Sequence, residues 1–120
     1  MMKFLWVTLR VGDLEKSLAF YTRTLGMEAA SRFGGEGRQI VMLGKDNDSK
    51  VELIYDGNPL PQSPGAGVSF GLETADLDAL AAKLEQTGHA VEGPISPNPH
   101  VRFSFVKDPD GYTVQLVEQK

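Results

Sequence analysis

Apolar and polar residues alternate from Phe4 to Val11, which reads as a strand with Leu5, Val7 and Leu9 on one face. Phe4, Trp6, Thr8 and Arg10 take the other face. Gly12-Asp13 breaks the alternation, and the Asp13 side chain is suited to accept a free amide of a first helical turn. Leu14, Leu18, Tyr21 and Leu25 then recur with a helical period, and Gly26 supplies the left-handed residue that stops the helix. Strands are predicted over Glu28 to Phe33, Gln39 to Leu43 and Lys50 to Tyr55, with Gly34-Gly35-Glu36-Gly37 as a hairpin loop or arm. Gly44 to Ser49 carries turn residues between the last two strands.

The order then repeats. Three prolines at positions 59, 61 and 64 rule out a ladder and mark a linker. A strand over Gly67 to Glu73 leads to the N-cap Asp76, an apolar stripe of Leu77, Leu80, Ala81 and Leu84, and the stop Gly88. Val91, Val101 to Lys107 and Tyr112 to Glu118 supply three further strands, the last two joined by Asp108-Pro109-Asp110-Gly111. Asp13-Leu14 and Asp76-Leu77 stand 63 residues apart, as do Val51-Glu52-Leu53 and Val114-Gln115-Leu116. The expected architecture is therefore α+β: two βαβββ units at 1–57 and 67–120, joined by a linker at 58–66 within one structural domain. Two such concave sheets would enclose a cup, and a homodimer that completes the cups is expected.

Composition narrows the function. The chain has 120 residues, room for one compact domain. It contains no cysteine, which excludes disulfides, thiolate metal sites and a cysteine nucleophile and fits a reducing compartment, so the expected location is cytoplasmic. Arg10 and Asp13 cut short the N-terminal apolar run, and no run approaches the roughly 20 residues of a membrane span. The net charge of −4 arises from scattered charges with no basic stripe, against a nucleic-acid partner. A small molecule is the expected partner, with neither membrane nor nucleic acid.

Leu9-Arg10-Val11-Gly12-Asp13-Leu14, Phe20 to Met27, Val51-Glu52-Leu53 and Asp108 to Leu116 together resemble the vicinal oxygen chelate superfamily, the glyoxalase, bleomycin-resistance and dioxygenase-type fold, over nearly the whole chain. Within it the look is nearest to bacterial glyoxalase I, which isomerises the hemithioacetal of glutathione and methylglyoxal. The resemblance implies metal ligands on the first and last strand of each unit, positions held here by Trp6, Glu52, Ser69 and Gln115. Of these only Glu52 is a competent ligand, because indole offers no lone pair, a serine hydroxyl binds metals poorly and a glutamine carbonyl is neutral. No metal cofactor is expected.

Three functions stay open. The leading one is metal-independent binding of a small molecule in the cup. The second is a glyoxalase-like lyase or isomerase, with Glu52 as base and Arg10 or Arg102 as electrophile. The third is a non-catalytic scaffold. Trp6 is either a stacking platform or a core plug. By resemblance Arg10 grips a glutathione carboxylate; otherwise it pairs with Asp56 or Glu52. Asp56 stands where glyoxalase I offers glutathione an asparagine, and its charge would repel a carboxylate. Glu52 suits a general acid or base, recognition of a cation, or a hydrogen bond to Gln115. Ser69 and Gln115 complete the ligand-binding set, together with His100, which follows Ser96-Pro97-Asn98-Pro99 in a loop expected to close over the cup. His89 is read as structural, a cation just past a helix end.

Overall fold

The computed structural model describes residues 1–120. The chain divides into two compact units, Met1–Gln62 and Ser63–Lys120.

In the first unit the elements run β1 (Trp6–Arg10), α1 (Leu14–Leu18), a π-helical turn (Ala19–Thr24), β2 (Ala29–Gly35), β3 (Arg38–Leu43) and β4 (Lys50–Tyr55). The sheet order is β1-β4-β3-β2, with β1 parallel to β4 and the remaining pairs antiparallel. Asp13 caps α1 by accepting the Lys16 amide at 3.2 Å. One face of the sheet packs on the helix: Leu9, Val41, Leu43, Val51 and Leu53 are buried, with Leu14, Phe20 and Tyr21 from the helical segment. Phe20 and Tyr21 meet edge to face, ring centroids 5.1 Å apart.

Ser63–Lys120 repeats the design with β5 (Ser69–Glu73), α2 (Leu77–Gln86), β6 (Val91–Asn98), β7 (Val101–Lys107) and β8 (Thr113–Gln119), in sheet order β5-β8-β7-β6. Asp76 caps α2 through the Ala79 amide at 3.0 Å. The pairings obey the 63-residue offset: Trp6↔Lys50 and Thr8↔Glu52 in one sheet become Ser69↔Thr113 and Gly71↔Gln115 in the other. Likewise Gln39↔Tyr55 becomes Arg102↔Glu118. Two copies of one strand register therefore underlie the repeat seen in the sequence.

Four expectations need correction. Leu5 precedes the strand and is 55% exposed, since β1 begins at Trp6. The first helix is α-helical only to Leu18 and widens into the π turn, where the Leu25 amide donates to the Phe20 carbonyl five residues back. Gly34 and Gly35 lie inside β2 rather than in the hairpin loop. Ser96 to Asn98, expected as loop, is the end of β6, which tolerates Pro94 and Pro97 because it is an edge strand with two register irregularities. In that strand Gly93 has φ +115°, and a Cβ there would come within 2.9 Å of the Ser104 hydroxyl, so close approach as well as backbone demands glycine.

Candidate ligand-binding faces

Because side chains alternate along a strand, each sheet has a second face turned away from its helix. In the first unit that face carries Trp6, Thr8 and Arg10 from β1, Glu52 and Ile54 from β4, Ile40 and Met42 from β3, and Phe33 from β2. Trp6 is 47% exposed and Phe33 53%. Trp6 is thus no core plug; its ring is available. Glu52 sits directly across from Thr8, whose hydroxyl donates to Oε1 at 2.7 Å. Thr8 is a member of the site that sequence reasoning passed over, although its place on the face of Trp6 and Arg10 was legible from the alternation.

Arg10 and Asp56 meet at the end of this face, Nε to Oδ2 at 3.4 Å, as one of the two expected pairings required. The Arg10 guanidinium also donates to the Pro59 carbonyl at 3.5 Å. Asp56 accepts the Asn58 amide at 2.9 Å. That backbone bond, followed by the Arg10 side chain, holds the Asp56 carboxyl below its usual range despite some desolvation.

In the second unit the corresponding face presents Ser69, Gly71 and Glu73 from β5, Gln115 and Val117 from β8, and Phe103 and Phe105 from β7. The two phenylalanines pack edge to face, centroids 5.6 Å apart. Ser69 and Gln115 share this face on neighbouring strands, in the same register relation as Trp6 and Glu52.

Two expected site residues fall elsewhere. Arg102 points to the helix face, where its guanidinium bonds Glu118 Oε1 at 3.2 Å and Asp78 Oδ2 at 3.2 Å. Its even position in β7, opposite Glu118, puts it back to back with Phe103 and Phe105, on the face away from Gln115 and Ser69, so the expected electrophile role has no support from its place in the sheet. Asp78 foremost keeps the Arg102 guanidinium raised above its ordinary value. His100 occupies the exposed β6–β7 turn, its amide donating to Asn98 Oδ1 at 2.8 Å and its carbonyl accepting the Lys120 amide at 2.8 Å. That turn is at the Val101↔Gln119 end of the sheet, six residues along from the Lys107↔Thr113 row beside Ser69, roughly 20 Å away.

The donor set at the four family ligand positions remains one carboxylate, one carboxamide, one hydroxyl and one indole. The carboxylate already accepts a hydrogen bond from Thr8. This set does not fit a catalytic zinc, nickel or iron centre, which calls for imidazole and carboxylate donors.

The Glyoxalase/Bleomycin resistance protein/Dioxygenase superfamily profile matches residues 3–116. The chain belongs to that superfamily. A lactoylglutathione lyase of Salmonella typhimurium is 32% identical over 99% of this chain and 94% of its own length. Lactoylglutathione lyase GLX1 of Arabidopsis thaliana is also 32% identical, over 98% of this chain, which spans only 44% of that longer protein. Among solved structures, TnmS3, an antibiotic binding protein from Streptomyces sp. CB03234, superimposes with a TM-score of 0.76 at 28% identity, covering 100% of this chain and 98% of its own. No helix of this superfamily member is long and apolar enough to cross a membrane.

Proposed function

We propose that this superfamily member binds a small, partly aromatic molecule on the sheet faces turned away from the helices, without a metal. The observation that carries the reading is the half-exposed Trp6 beside a carboxylate, Glu52, held in place by Thr8. The face has an aromatic platform and one oriented polar group, which is how small-molecule sites combine affinity with orientation. The likeness to an antibiotic binding protein supports it, as does a donor set ill-suited to a metal. A homodimer that completes the cups and a cytoplasmic location belong to the same proposal, the latter on the absence of cysteine.

Saturable quenching of Trp6 fluorescence by an aromatic ligand, unaffected by prior treatment with a chelator, is the expected result. Trp6→Phe, followed by titration calorimetry because it removes the sole tryptophan, should weaken that binding by about 1 kcal/mol, the scale of an aromatic pair. A ligand that binds only after a divalent metal is restored would overturn the reading.

The second reading, a lyase or isomerase with Glu52 as base, is favoured by the 32% identity to lactoylglutathione lyases. It is separated from the first by assaying methylglyoxal and glutathione turnover with and without added nickel or zinc. Turnover abolished by Glu52→Gln would replace the binding reading with this one.

A further inference from the structure

From the charges on the first unit's open face, we infer that it selects organic cations, aromatic molecules bearing a protonated amine, through Glu52 and Trp6. The inference rests on the binding reading above and names the ligand class. Five charged residues lie on that face: Arg10, Arg38, Lys50, Glu52 and Asp56. Arg10 and Asp56 are consumed by each other.

Lys50 is the neighbour that should matter most, two residues before Glu52 on the same strand face and in register with Trp6. Its ammonium nevertheless turns into the β3–β4 loop, donating to the carbonyls of Lys45 at 3.1 Å, Asp46 at 2.7 Å and Asp48 at 2.5 Å. Three oxygens take up its three donors, and it makes no ion pair with Glu52. Arg38 stands at the far end of β3, four residues from the Met42 that pairs with Glu52, about 13 Å along the strand. That exceeds the roughly 8 Å screening length of physiological salt.

Glu52 is thereby left as the one carboxylate on the face without a cation, its partner a neutral hydroxyl. Thr8 uses Oε1 and leaves Oε2 to receive a donor. Trp6, two residues from Thr8 on β1, lies diagonally across from Glu52, about 8 Å between backbones. An ammonium placed between them meets the carboxylate on one side and the indole face on the other, the arrangement by which aromatic groups hold cations. Phe33, Ile40 and Met42 continue the face as apolar surface for the rest of the ligand.

Trp6 is the sole tryptophan, so its indole N–H gives one cross-peak in a proton–nitrogen correlation spectrum, a readout local to the site. Three probes of matched shape, 1-naphthylmethylammonium, 1-naphthalenemethanol and 1-naphthoate, are titrated against it at low and physiological salt. The ammonium should bind at least threefold more tightly than the alcohol, with 1-naphthoate weakest. Glu52→Gln should bring ammonium and alcohol to equal affinity, and Asp56→Asn, by releasing Arg10, should raise the affinity for 1-naphthoate. Equal binding of all three by the native protein would overturn the cation inference while leaving the binding reading intact. No shift of the indole peak with any probe would overturn both. A cation preference that survives Glu52→Gln would remove Glu52 from the site and with it the inference.

Discussion

The two units share a register yet spend their polar residues in different places. On the helix side of the second unit, Glu118 is 7% exposed and accepts the Leu77 amide at 2.8 Å while Arg102 and Lys120 neutralise it. Sixty-three residues earlier stands Tyr55, and Gln39 replaces Arg102. The ion pair to the helix is still made, but from the neighbouring strand: Arg32 reaches Glu15, the counterpart of Asp78, at 3.0 Å. With Tyr55 in place of Glu118, no carboxylate comes from the last strand to the helix start, and a shallow cavity of about 360 Å³ remains there among Asp13, Glu15, Arg32, Gln39 and Tyr55.

The open faces differ in the opposite sense. There the first unit holds the Arg10–Asp56 pair and the Thr8-bonded Glu52, and the second holds Phe103 and Phe105 where the first has Ile40 and Met42. A fixed strand register leaves each position free to change chemistry so long as its face keeps its role. The second unit pins its helix through the buried Glu118, whereas the first ties its helix only through the exposed Arg32–Glu15 pair and carries Glu52, Arg10 and Asp56 on its open face.

Removing the largest core contact in each unit tests whether their helix faces are equally committed. Tyr21→Ala should cost about 3–5 kcal/mol in urea unfolding and its counterpart Leu84→Ala about 2–5 kcal/mol, both side chains being fully buried. A loss below 1 kcal/mol at Tyr21 would show that the π turn packs loosely and that the units are unequal even in their cores.

The polar pin should separate them next. Glu118→Gln should lower the melting temperature clearly, Tyr55→Phe hardly at all. The Leu77 amide foremost, then Arg102, holds the Glu118 carboxyl below its ordinary range. A carboxylate with a lowered value in the folded state stabilises above its unfolded value, near pH 4.3, and that stability disappears as pH falls through the folded value. The native protein should therefore lose stability steeply below about pH 4.3, and Glu118→Gln should flatten that limb. An unchanged acid limb in the variant would mean that the pin contributes nothing. The smallest effect is expected at Thr8→Val, under about 1 kcal/mol of stability because the bond to Glu52 is exposed. A larger loss would make the open face of the first unit a structural element rather than a ligand surface.

The internal repeat, the caps Asp13 and Asp76 and the ends of β4 and β7 were legible because alternation and capping are local signals. The placement of Trp6, Glu52 and Arg10 on one face followed from the same alternation. Arg102 was misplaced for want of its parity relative to Gln115, which depends on the strand's exact register with β8. Nor could sequence show that Lys50, a surface lysine like any other, bends back onto three carbonyls of its own loop. Such long-side-chain choices are made among several nearby acceptors, and only tertiary geometry decides among them.

The π turn accounts for a difference in length between the two units. Thirteen residues separate Asp13 from Gly26, whereas twelve separate Asp76 from Gly88. A wider turn is the means by which a helix absorbs a single extra residue without displacing the strands after it. Later in the unit the offset returns to 63, because the irregular β6 holds the compensating residue. The first unit thus carries its extra residue in the helix and the second in the edge strand, each at a place where a backbone can bulge.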